Sequence, residues 1–497
     1  MDRGAVTSWA EQAKKLKFHT QAFIDGKWAD AASGKTFDVI NPATNKVLAK
    51  VAACDKEDVD RAVKAARKAF NSGVWSKRPP GERKAILSKL ADLILEHQDE
   101  LALTDTLDMG KPITLTTTGD IPGSSDTIRW YAEAIDKVYD EIAPAGHGNL
   151  AMIRREALGV IGCVVPWNYP FQMAVWKIAP ALACGNSVIL KPAEQSPLSA
   201  LKLAELAAEA GIPAGVFNVL PGFGETAGEL IGRHMDVDCV GFTGSTEVGK
   251  YFLRYSAESN MKQVWLECGG KSPNLIFADC DDLEAAADAS AFGIWGNQGE
   301  VCSANSRLLV EESIKDKFIA LLRERAKGFQ PGDPLDPATN MGSIVEARQT
   351  EKIMSYIEKG KAIASLVEGG KRLTLNGSDN FVTPTIFDNV KNNMVIAQEE
   401  IFGPVLSVIS FKTEEEAVKI ANDTIYGLAA SIWSNNLKRV HRLTDVIQAG
   451  TVSVNCVDAG GNTVPFGGFK QSGIGRDLSL HAFDKYTNLK TVWVKYG

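Results

Sequence analysis

The stretch VIGCVVPWNYP, residues 160–170, decides the fold class. Its first six residues are apolar or small and are followed by a proline, which is typical of a strand buried on both faces of a parallel sheet. Similar apolar runs occur at residues 187–190, 216–220 and 239–242, and helix-like segments separate them. Strands that alternate with helices at this interval predict a doubly wound parallel sheet of the α/β class.

The segments on either side of this sheet carry different patterns. Residues 20–53 alternate apolar and polar residues between Gly and Asn-Pro breaks, which predicts β-hairpins, and an amphipathic helix is predicted at about residues 81–103. Residues 282–478 resume the alternation of strands and helices and predict a second α/β domain. The alternating residues 487–495 predict a strand that pairs with another element or with another subunit.

The composition is that of a soluble globular protein and limits the possible functions. The chain has 497 residues, of which 45% are apolar and 23% charged, so we expect more than one hydrophobic core. A net charge of -7 without runs of like charge argues against a nucleic-acid partner. Eight cysteines lack a pairing pattern and no long apolar stretch occurs, so we expect a cytoplasmic protein that makes no membrane contact. The six histidines form no metal-ligand pattern, and no metal is expected.

Polar or glycine-rich segments follow three of the predicted strands. Lys191 and Glu194 follow the second strand, where a carboxylate can accept hydrogen bonds from a ribose diol. Residues 244–249 follow the fourth strand and open a helix, where free amides and a hydroxyl can meet a phosphate. Residues 222–228 miss the pattern G-x-G-x-x-G by one residue and are weak evidence alone. Each loop by itself is also compatible with an ordinary turn, but together they predict a nucleotide site.

Cys302 and Glu267 are candidates for the chemistry. Cys302 stands in NQGEVCS, residues 297–303, and has no partner cysteine at the spacing of a disulfide or a zinc site. It is therefore a candidate nucleophile, although a free cysteine is more commonly a small buried hydrophobe. Glu267 lies between an apolar strand and paired glycines, a setting in which a carboxylate becomes a tunable base. The alternative for Glu267 is a solvated carboxylate in a turn.

Five motifs occur in the order found in one large enzyme family. They are PWNYP (166–170), LECGGKSP (266–273), GEVC (299–302), EEIFGP (399–404) and PFGGFKQSG (465–473). Together they resemble the NAD(P)-dependent aldehyde dehydrogenase superfamily, and the resemblance covers essentially the whole chain. Trp295 is a small departure, because many relatives carry Phe there, and it leaves the motifs for the chemistry intact.

The resemblance implies a division of the chain into three parts. The NAD-binding domain would comprise residues 1–130 and 151–265, and the catalytic domain residues 266–478. Residues 131–150 and 479–497 would form a small β element for oligomerisation. The family assembles as a homodimer or as a dimer of dimers, a homotetramer, so a partner of this kind is expected.

The resemblance also implies roles for the candidate catalytic residues. Cys302 would attack the aldehyde carbon as a thiolate, and the side-chain amide of Asn168 with the backbone N–H of Cys302 would stabilise the alkoxide. Glu267 would then act as the general base that hydrolyses the thioester. Lys177 would take part in a proton path with Glu267, which an acidic residue completes in many relatives. Here that residue is Asp477.

The cofactor implied by the resemblance is NAD, with NADP weaker. Lys191 and Glu194 would hold the adenosine ribose, and the carboxylate at position 194 would repel a 2′-phosphate. The predicted cofactor-binding residues are Trp167, Lys191, Glu194, Gly224, Gly244, Ser245, Gly269, Glu400 and Phe402.

The substrate is expected to be decided by a tunnel that leads to Cys302. By family alignment its residues are Asp120, Tyr169, Met173, Trp176, Glu300, Val301, Ser303, Asp458 and Phe466. Trp176 stands where relatives that oxidise succinic semialdehyde often carry arginine, so a carboxylated substrate would lack a partner. Aromatic faces together with Asp120 and Asp458 suit a cationic tail.

These features indicate an ω-amino, γ-glutamylamino or ω-guanidino aldehyde, for example 4-guanidinobutyraldehyde. The segment GRDLSLHA, residues 475–482, also resembles the corresponding segment of the aldehyde dehydrogenases of polyamine and arginine breakdown. The alternative is a broad-specificity, betaine or alkyl aldehyde dehydrogenase, in which Asp120 and Asp458 are solvated loop residues.

Two further interpretations belong to other functional classes. A thiol hydrolase or acyltransferase would use Cys302 without a cofactor, but the sites at Lys191, Glu194 and Ser245 would then have no function. A non-catalytic protein that kept the fold would not need Cys302, Glu267 and Asn168 together. The sequence therefore favours the dehydrogenase.

Overall fold

A computed structural model describes residues 8–497. Its strands are β1 (Ala22–Ile24), β2 (Lys27–Ala29), β3 (Thr36–Asn41), β4 (Lys46–Ala52), β5 (Glu141–Ala143), β6 (Asn149–Ala157), β7 (Val160–Val164), β8 (Ser187–Lys191), β9 (Phe217–Val219), β10 (Cys239–Thr243), β11 (Gln263–Glu267), β12 (Pro273–Ile276), β13 (Arg307–Glu311), β14 (Ser365–Glu368), β15 (Arg372–Leu375), β16 (Ser378–Val382), β17 (Thr385–Asp388), β18 (Val405–Phe411), β19 (Ala429–Trp433), β20 (Thr451–Val454), β21 (Gly473–Ile474) and β22 (Thr487–Lys495).

The α-helices alternate with these strands through most of the chain. They are α1 (Trp9–Ala13), α2 (Lys56–Ser72), α3 (Pro80–Glu96), α4 (Gln98–Met109), α5 (Ile113–Leu115), α6 (Ile121–Ala134), α7 (Pro170–Ala183), α8 (Leu198–Ala210), α9 (Glu229–Arg233), α10 (Thr246–Ala257), α11 (Leu283–Trp295), α12 (Lys315–Ala326), α13 (Ala347–Ile363), α14 (Val395–Gln398), α15 (Glu414–Asn422) and α16 (Leu437–Val446). Within residues 8–497, no helix is both long and apolar enough to cross a membrane.

The first large sheet confirms the predicted α/β fold. Its strand order is β2-β1-β9-β8-β7-β10-β11-β21, and the five strands from β9 to β11 are parallel. Ile161 and Cys163 of β7 pack into the core on one face, whereas Val160 and Val164 pack into a separate core on the other. Both faces of β7 are buried, which explains why its sequence is a continuous apolar run.

A second sheet forms the other α/β unit, with the order β14-β17-β18-β13-β12-β19-β20. Its strands from β17 to β20 are parallel, and β14 is antiparallel at the edge. The chain passes from β11 of the first sheet to β12 of the second through residues 268–272. The motif LECGGKSP therefore forms the crossing between the two sheets.

The predicted C-terminal strand is confirmed, and its partner lies in the same chain. β22 pairs antiparallel with β6 along its whole length, and β5 completes a three-stranded sheet. β6 continues to Ala157, past the predicted boundary at residue 150, and β21 joins the first sheet although it lies within 266–478. The division into three domains stays a prediction.

The predicted helix over residues 81–103 is instead two helices, α3 and α4. His97 ends the first and precedes the second, with φ −102° and ψ 19°. The imidazole Nδ1 lies 2.8 Å from Oε2 of Glu100 in the first turn of α4. This local contact lies at the break, where the apolar pattern of the sequence continues without interruption.

Candidate active site

One cavity of about 820 Å³ lies where the two large sheets meet. Loops at the carboxyl ends of β7, β10 and β11 form one wall, and segments of the second unit form the other. Sixteen of the predicted site residues line it: Trp167, Asn168, Tyr169, Met173, Trp176, Gly244, Ser245, Glu267, Gly269, Val301, Cys302, Ser303, Glu400, Phe402, Asp458 and Phe466. The rule that ligands bind at the carboxyl ends of parallel strands accounts for this position.

The turn before Cys302 needs the residues that the sequence places there. Asn297 and Gln298 have positive φ angles of 47° and 56°, and Gly299 has φ 72°. A Cβ on Gly299 would lie 2.3 Å from the carbonyl oxygen of Gly403, and a Cβ on Gly270 would lie 2.4 Å from the carbonyl oxygen of Cys302. Glycine at these two positions therefore lets three chain segments close around the cysteine.

Asn168 is tied to the cysteine loop by two hydrogen bonds. Its Nδ2 donates a hydrogen bond of 2.8 Å to the carbonyl oxygen of Glu300. The backbone carbonyl oxygen of Asn168 accepts a second hydrogen bond, of 3.0 Å, from Nδ2 of Asn297. Asn168 is buried, and a primary amide has two hydrogens to donate. One hydrogen fixes the side chain, which leaves the other to serve as a donor in the cavity.

Glu267 is a buried carboxyl group with an unusual environment. Its Oε2 has no hydrogen-bond partner among the described residues. Burial raises its pKa to about 8, and the charge of Asp477 adds to the shift, whereas Lys177, Lys485 and Arg476 oppose it. A carboxyl group with a pKa near neutrality can exchange protons at physiological pH, as a general base must.

The thiol of Cys302 is held in its neutral form at rest. Burial raises its pKa, and the nearby carboxylates of Asp458, Glu400 and Glu267 raise it further. Only the thiolate is a strong nucleophile. The cavity therefore needs a base beside the thiol, and Glu267 also lines it.

The groups predicted to hold a cofactor lie at the strand ends. Nζ of Lys191, at the end of β8, is 3.0 Å from Oε2 of Glu194. Ser245 precedes α10 and its Oγ accepts a hydrogen bond of 3.2 Å from the backbone N–H of Val248, so the start of this helix is a suitable place for a phosphate. Lys191 and Glu194 do not line the cavity itself, and Gly224 lies outside it at an exposed π-helical turn.

The segment around Glu400 supplies the opposite wall of this part of the cavity. Oε1 of Glu400 accepts a hydrogen bond of 3.0 Å from the backbone N–H of Gly270. A Cβ on Gly269 would lie 2.1 Å from Oε2 of Glu400, so glycine is required for this approach. The Phe402 ring packs edge to face on Trp167 with centroids 5.2 Å apart. Together these groups fit a dinucleotide that extends from β8 towards Cys302.

Two predicted tunnel residues do not reach the cavity. Asp120 is buried, and its Oδ2 is 2.5 Å from Nζ of Lys111, which is fully buried. The carboxyl group of Glu300 is also fully buried, and its Oε1 accepts a hydrogen bond of 3.2 Å from the N–H of Val345. Internal partners hold both carboxyl groups, so neither residue lines this cavity, and their place in a substrate tunnel stays a prediction.

The face of Tyr169 is also occupied from within the protein. Nζ of Lys111 lies 3.3 Å from the centre of the Tyr169 ring. This cation–π contact takes up one ring face, so the substrate has the other face at most. The aromatic side chains that remain are Trp176 and Phe466, which pack edge to face with centroids 5.3 Å apart.

The structure adds residues that the sequence did not indicate. Asp126 is exposed and lines the cavity together with Gly123 and Thr127 of the same helix, α6. Lys352 and Gln349 line it from α13, and the charge of Lys352 acts on Glu400. Gly123, Asp126 and Thr127 are spaced three and four residues apart, so the sequence could have indicated that they share one face of α6. No sequence motif indicates that α13 contributes to the cavity.

Lys177 lies behind the cavity wall. Its Nζ is paired with Oδ2 of Asp477, which does line the cavity, and Lys485 is paired with Oδ1 of the same carboxylate. All three residues are buried. The predicted neighbours Lys177 and Asp477 therefore meet, and Lys485 is an additional member.

Fold and site together define an α/β protein that brings a cysteine, an amide donor and a buried carboxyl group to the ligand-binding edge of a doubly wound sheet. A model of the aldehyde dehydrogenase family matches residues 28–492. The sequence is 52% identical over 486 residues to the NADP/NAD-dependent aldehyde dehydrogenase PuuC of Escherichia coli strain K12, which covers 98% of both chains. The chain therefore belongs to the aldehyde dehydrogenase family.

Solved structures agree with this assignment. An indole-3-acetaldehyde dehydrogenase complexed with NAD+ is 55% identical, with a TM-score of 0.97 over 99% of this chain and 100% of that one. A γ-glutamyl-γ-aminobutyraldehyde dehydrogenase of Burkholderia cenocepacia J2315 is 53% identical, with a TM-score of 0.97 over 98% of this chain and 99% of that one.

Proposed function

We propose that this protein oxidises an aldehyde to a carboxylic acid with NAD as the hydride acceptor. The observation that carries the proposal is that Cys302, Asn168 and Glu267 line one cavity together with the loops at the ends of β7 and β10. A thiol hydrolase would need Cys302, Asn168 and Glu267, but it would not need loops that are suited to bind a nucleotide.

The first half of the reaction forms a bond between Sγ of Cys302 and the aldehyde carbon. Because the thiol is neutral at rest, its proton must leave first, and Glu267 is the buried base in reach of the same cavity. The carbonyl oxygen then carries the negative charge as an alkoxide. The second hydrogen of the Asn168 amide and the backbone N–H of Cys302 stabilise this charge.

Bound NAD would supply the hydride acceptor, and Cys302 would carry a thioester once the former aldehyde carbon has lost its hydride. In the second half, Glu267, once it has released the thiol proton to solvent, takes a proton from the water that adds to the thioester carbon. The C–S bond breaks, the sulfur leaves with the bonding electrons, and the carboxylic acid is released.

The residues around the cavity suit the parts of NAD. Lys191 and Glu194 would bind the hydroxyls of the adenosine ribose, and the start of α10 at Ser245 would bind the pyrophosphate. Glu400 and Phe402 would hold the nicotinamide ribose and ring. The similar indole-3-acetaldehyde dehydrogenase, which binds NAD+, supports this assignment.

The substrate we propose is an aldehyde with a cationic or zwitterionic tail, of the ω-amino, γ-glutamylamino or ω-guanidino kind. Asp126 and Asp458 place two carboxyl groups on the cavity wall, and Trp176 and Phe466 form an aromatic pair. The similar enzyme of Burkholderia cenocepacia is named for γ-glutamyl-γ-aminobutyraldehyde, which supports this class.

A second candidate is indole-3-acetaldehyde. The similar structure is named for that substrate, and the pair of Trp176 and Phe466 offers flat apolar surface for an indole ring.

Formation of NADH at 340 nm tests the activity and separates the candidates. The panel comprises 4-guanidinobutyraldehyde, 3-aminopropanal, betaine aldehyde, indole-3-acetaldehyde, succinic semialdehyde and a plain alkyl aldehyde. The highest kcat/KM is expected for an ω-amino or ω-guanidino substrate. A clear preference for succinic semialdehyde would defeat the substrate proposal, and no NADH with any aldehyde would defeat the proposed reaction.

We further propose a cytoplasmic homodimer or dimer of dimers. All eight cysteines are free thiols, which suits a reducing compartment. The three-stranded sheet leaves Leu489 and Trp493 of β22 exposed, at 62% and 59%, and exposed apolar strands commonly pair with a partner. Sedimentation velocity measures the number of subunits.

A further inference from the structure

Asp477 is a buried carboxylate that is shared by two buried lysines. Its Oδ2 pairs with Nζ of Lys177 on α7, and its Oδ1 pairs with Nζ of Lys485. Lys485 ends a short 3-10 turn, Leu480–Lys485, that precedes β22. Lys177, Asp477 and Lys485 are 1%, 0% and 2% exposed, so water cannot balance their charges.

The charges of this cluster do not cancel. Two ammonium groups and one carboxylate give this buried cluster a net charge of about +1. A buried net charge raises the free energy of the folded state unless an opposite charge lies near it. Asp477 also lies on the wall of the cavity that Glu267 lines. Burial lowers the pKa of Lys485, and Glu267 is the second carboxyl group, after Asp477, whose charge opposes this shift.

The backbone holds Lys485 against the strand that carries Glu267. The carbonyl oxygen of Lys485 accepts a hydrogen bond of 3.1 Å from Nε1 of Trp265, and Trp265 and Glu267 belong to the same strand, β11. A Cβ on Gly475 would lie 3.4 Å from Cδ of Lys485. The lysine side chain is thus buried beside the backbone of Gly475 and ends on the carboxylate of Asp477.

We propose that Lys485 is a positioning residue that favours the ionised form of the Glu267 carboxyl group, the form that acts in thioester hydrolysis. It holds Asp477 and supplies the positive charge that the pair of Lys177 and Asp477 lacks. Lys485 does not line the cavity. This inference rests on the proposed aldehyde oxidation, because it assigns Glu267 as the base of that reaction.

The electrostatic surroundings agree with this role. Both Lys177 and Lys485 lower the pKa of Glu267 against the effects of burial and of Asp477, and Arg476 lowers it as well. Burial alone would raise the pKa of Asp477, and the two lysines bring it below its usual range. Other titratable groups around the cluster and Glu267 are thiols and phenols whose pKa values burial raises: Cys163, Cys239, Cys268, Cys302, Tyr131 and Tyr486.

The test compares Lys485→Met, which removes the charge, with Lys485→Arg, which keeps it. The pH dependence of kcat for NADH formation is measured at saturating aldehyde and NAD, together with the burst of NADH before the steady state. In Lys485→Met the acid limb of the kcat profile should move to higher pH by about one unit. Turnover at pH 7 should then fall about tenfold and recover at alkaline pH, while the amplitude of the burst remains. Lys485→Arg should keep the wild-type profile.

Lys438→Met is the matched control, because Lys438 is an exposed lysine on α16, away from the cavity. If Lys485→Met does not fold, Lys485→Gln can still hydrogen-bond Asp477 without a charge and carries the same expectation. A loss of kcat by one factor at every pH, or an unchanged profile, would overturn the inference. A wild-type protein that reduces no NAD with any aldehyde would instead defeat the proposed function.

Discussion

The side-chain amide of Asn168 donates a hydrogen bond of 2.8 Å to the carbonyl oxygen of Glu300, two residues before Cys302. This bond ties the loop after β7 to the loop that carries the cysteine. The orientation of the proposed oxyanion donor and the position of the nucleophile are therefore fixed by the same contact. Such preorganisation is what makes a donor effective when charge develops on the substrate.

Asn168→Ala is expected to lower kcat by about 10²–10³, because one donor to the alkoxide is lost. The thiol remains, so alkylation of Cys302 by iodoacetamide should still occur. Stopped-flow measurement of NADH formation checks the chemical step, and a thermal melt checks that the variant is folded. Near-normal turnover of a folded Asn168→Ala protein would show that this amide is not an oxyanion donor.

Much of the fold could be predicted because its signals are local. The parallel strands are buried on both faces, so each appears in the sequence as an unbroken apolar run such as residues 160–165. The carboxyl-end rule then placed the loops at Lys191 and Ser245 at one edge of the sheet. The break between α3 and α4 could not be predicted, because only the backbone of His97 departs from helical geometry and the apolar pattern continues across it.

Site residues that belong to a motif could be predicted from the sequence. Residues whose side-chain direction depends on a partner elsewhere in the fold could not. Cys302, Asn168 and Glu267 line the predicted cavity. Asp120 does not, because its carboxylate pairs with the buried Lys111, nine residues earlier in the chain. The sequence shows both residues but gives no sign that they pair. The acidic side chain that α6 contributes to the cavity wall is instead Asp126.

The buried pair of Lys111 and Asp120 should matter for stability. Asp120→Ala leaves an ammonium group buried without its carboxylate, so we expect a loss of about 3–5 kcal/mol. The double variant Lys111→Met/Asp120→Leu removes both charges and should be more stable than Asp120→Ala. Urea denaturation midpoints of the three proteins check this order. A double variant less stable than Asp120→Ala would show that the ion pair itself is not the cause.

NAD is expected to be preferred to NADP, because the carboxylate of Glu194 would face the 2′-phosphate. Glu194→Gln keeps the shape of the side chain and removes its charge. The ratio of kcat/KM for NADP to that for NAD should then rise about tenfold. Steady-state kinetics with both cofactors measure the ratio. A wild-type specificity constant for NADP equal to or above that for NAD would contradict the assignment of Glu194.

The pKa of Glu267 sets a pH dependence for thioester hydrolysis. Burial raises this pKa to about 8, and only the ionised carboxylate can accept a proton from water. The hydrolysis rate should therefore rise with pH up to about 8 and level off above it. Glu267→Gln should abolish this step. The thioester forms when enzyme, aldehyde and NAD are mixed, and release of the carboxylic acid in single turnovers measures its hydrolysis across pH. A rate independent of pH between about 6 and 9 would exclude Glu267 as the base.

Asp126 and Asp458 should select for a cationic substrate tail. Asp458→Asn and Asp126→Asn each remove one carboxylate from the cavity wall, and each should lower kcat/KM for 4-guanidinobutyraldehyde about tenfold by the loss of one charge pair. The value for a neutral alkyl aldehyde should not change, which makes that aldehyde the internal control. Added salt should reduce the difference between wild type and variants, because it screens these exposed charges. Equal losses for the charged and the neutral aldehyde would indicate an effect on cavity shape, and the acidic wall would then not determine specificity.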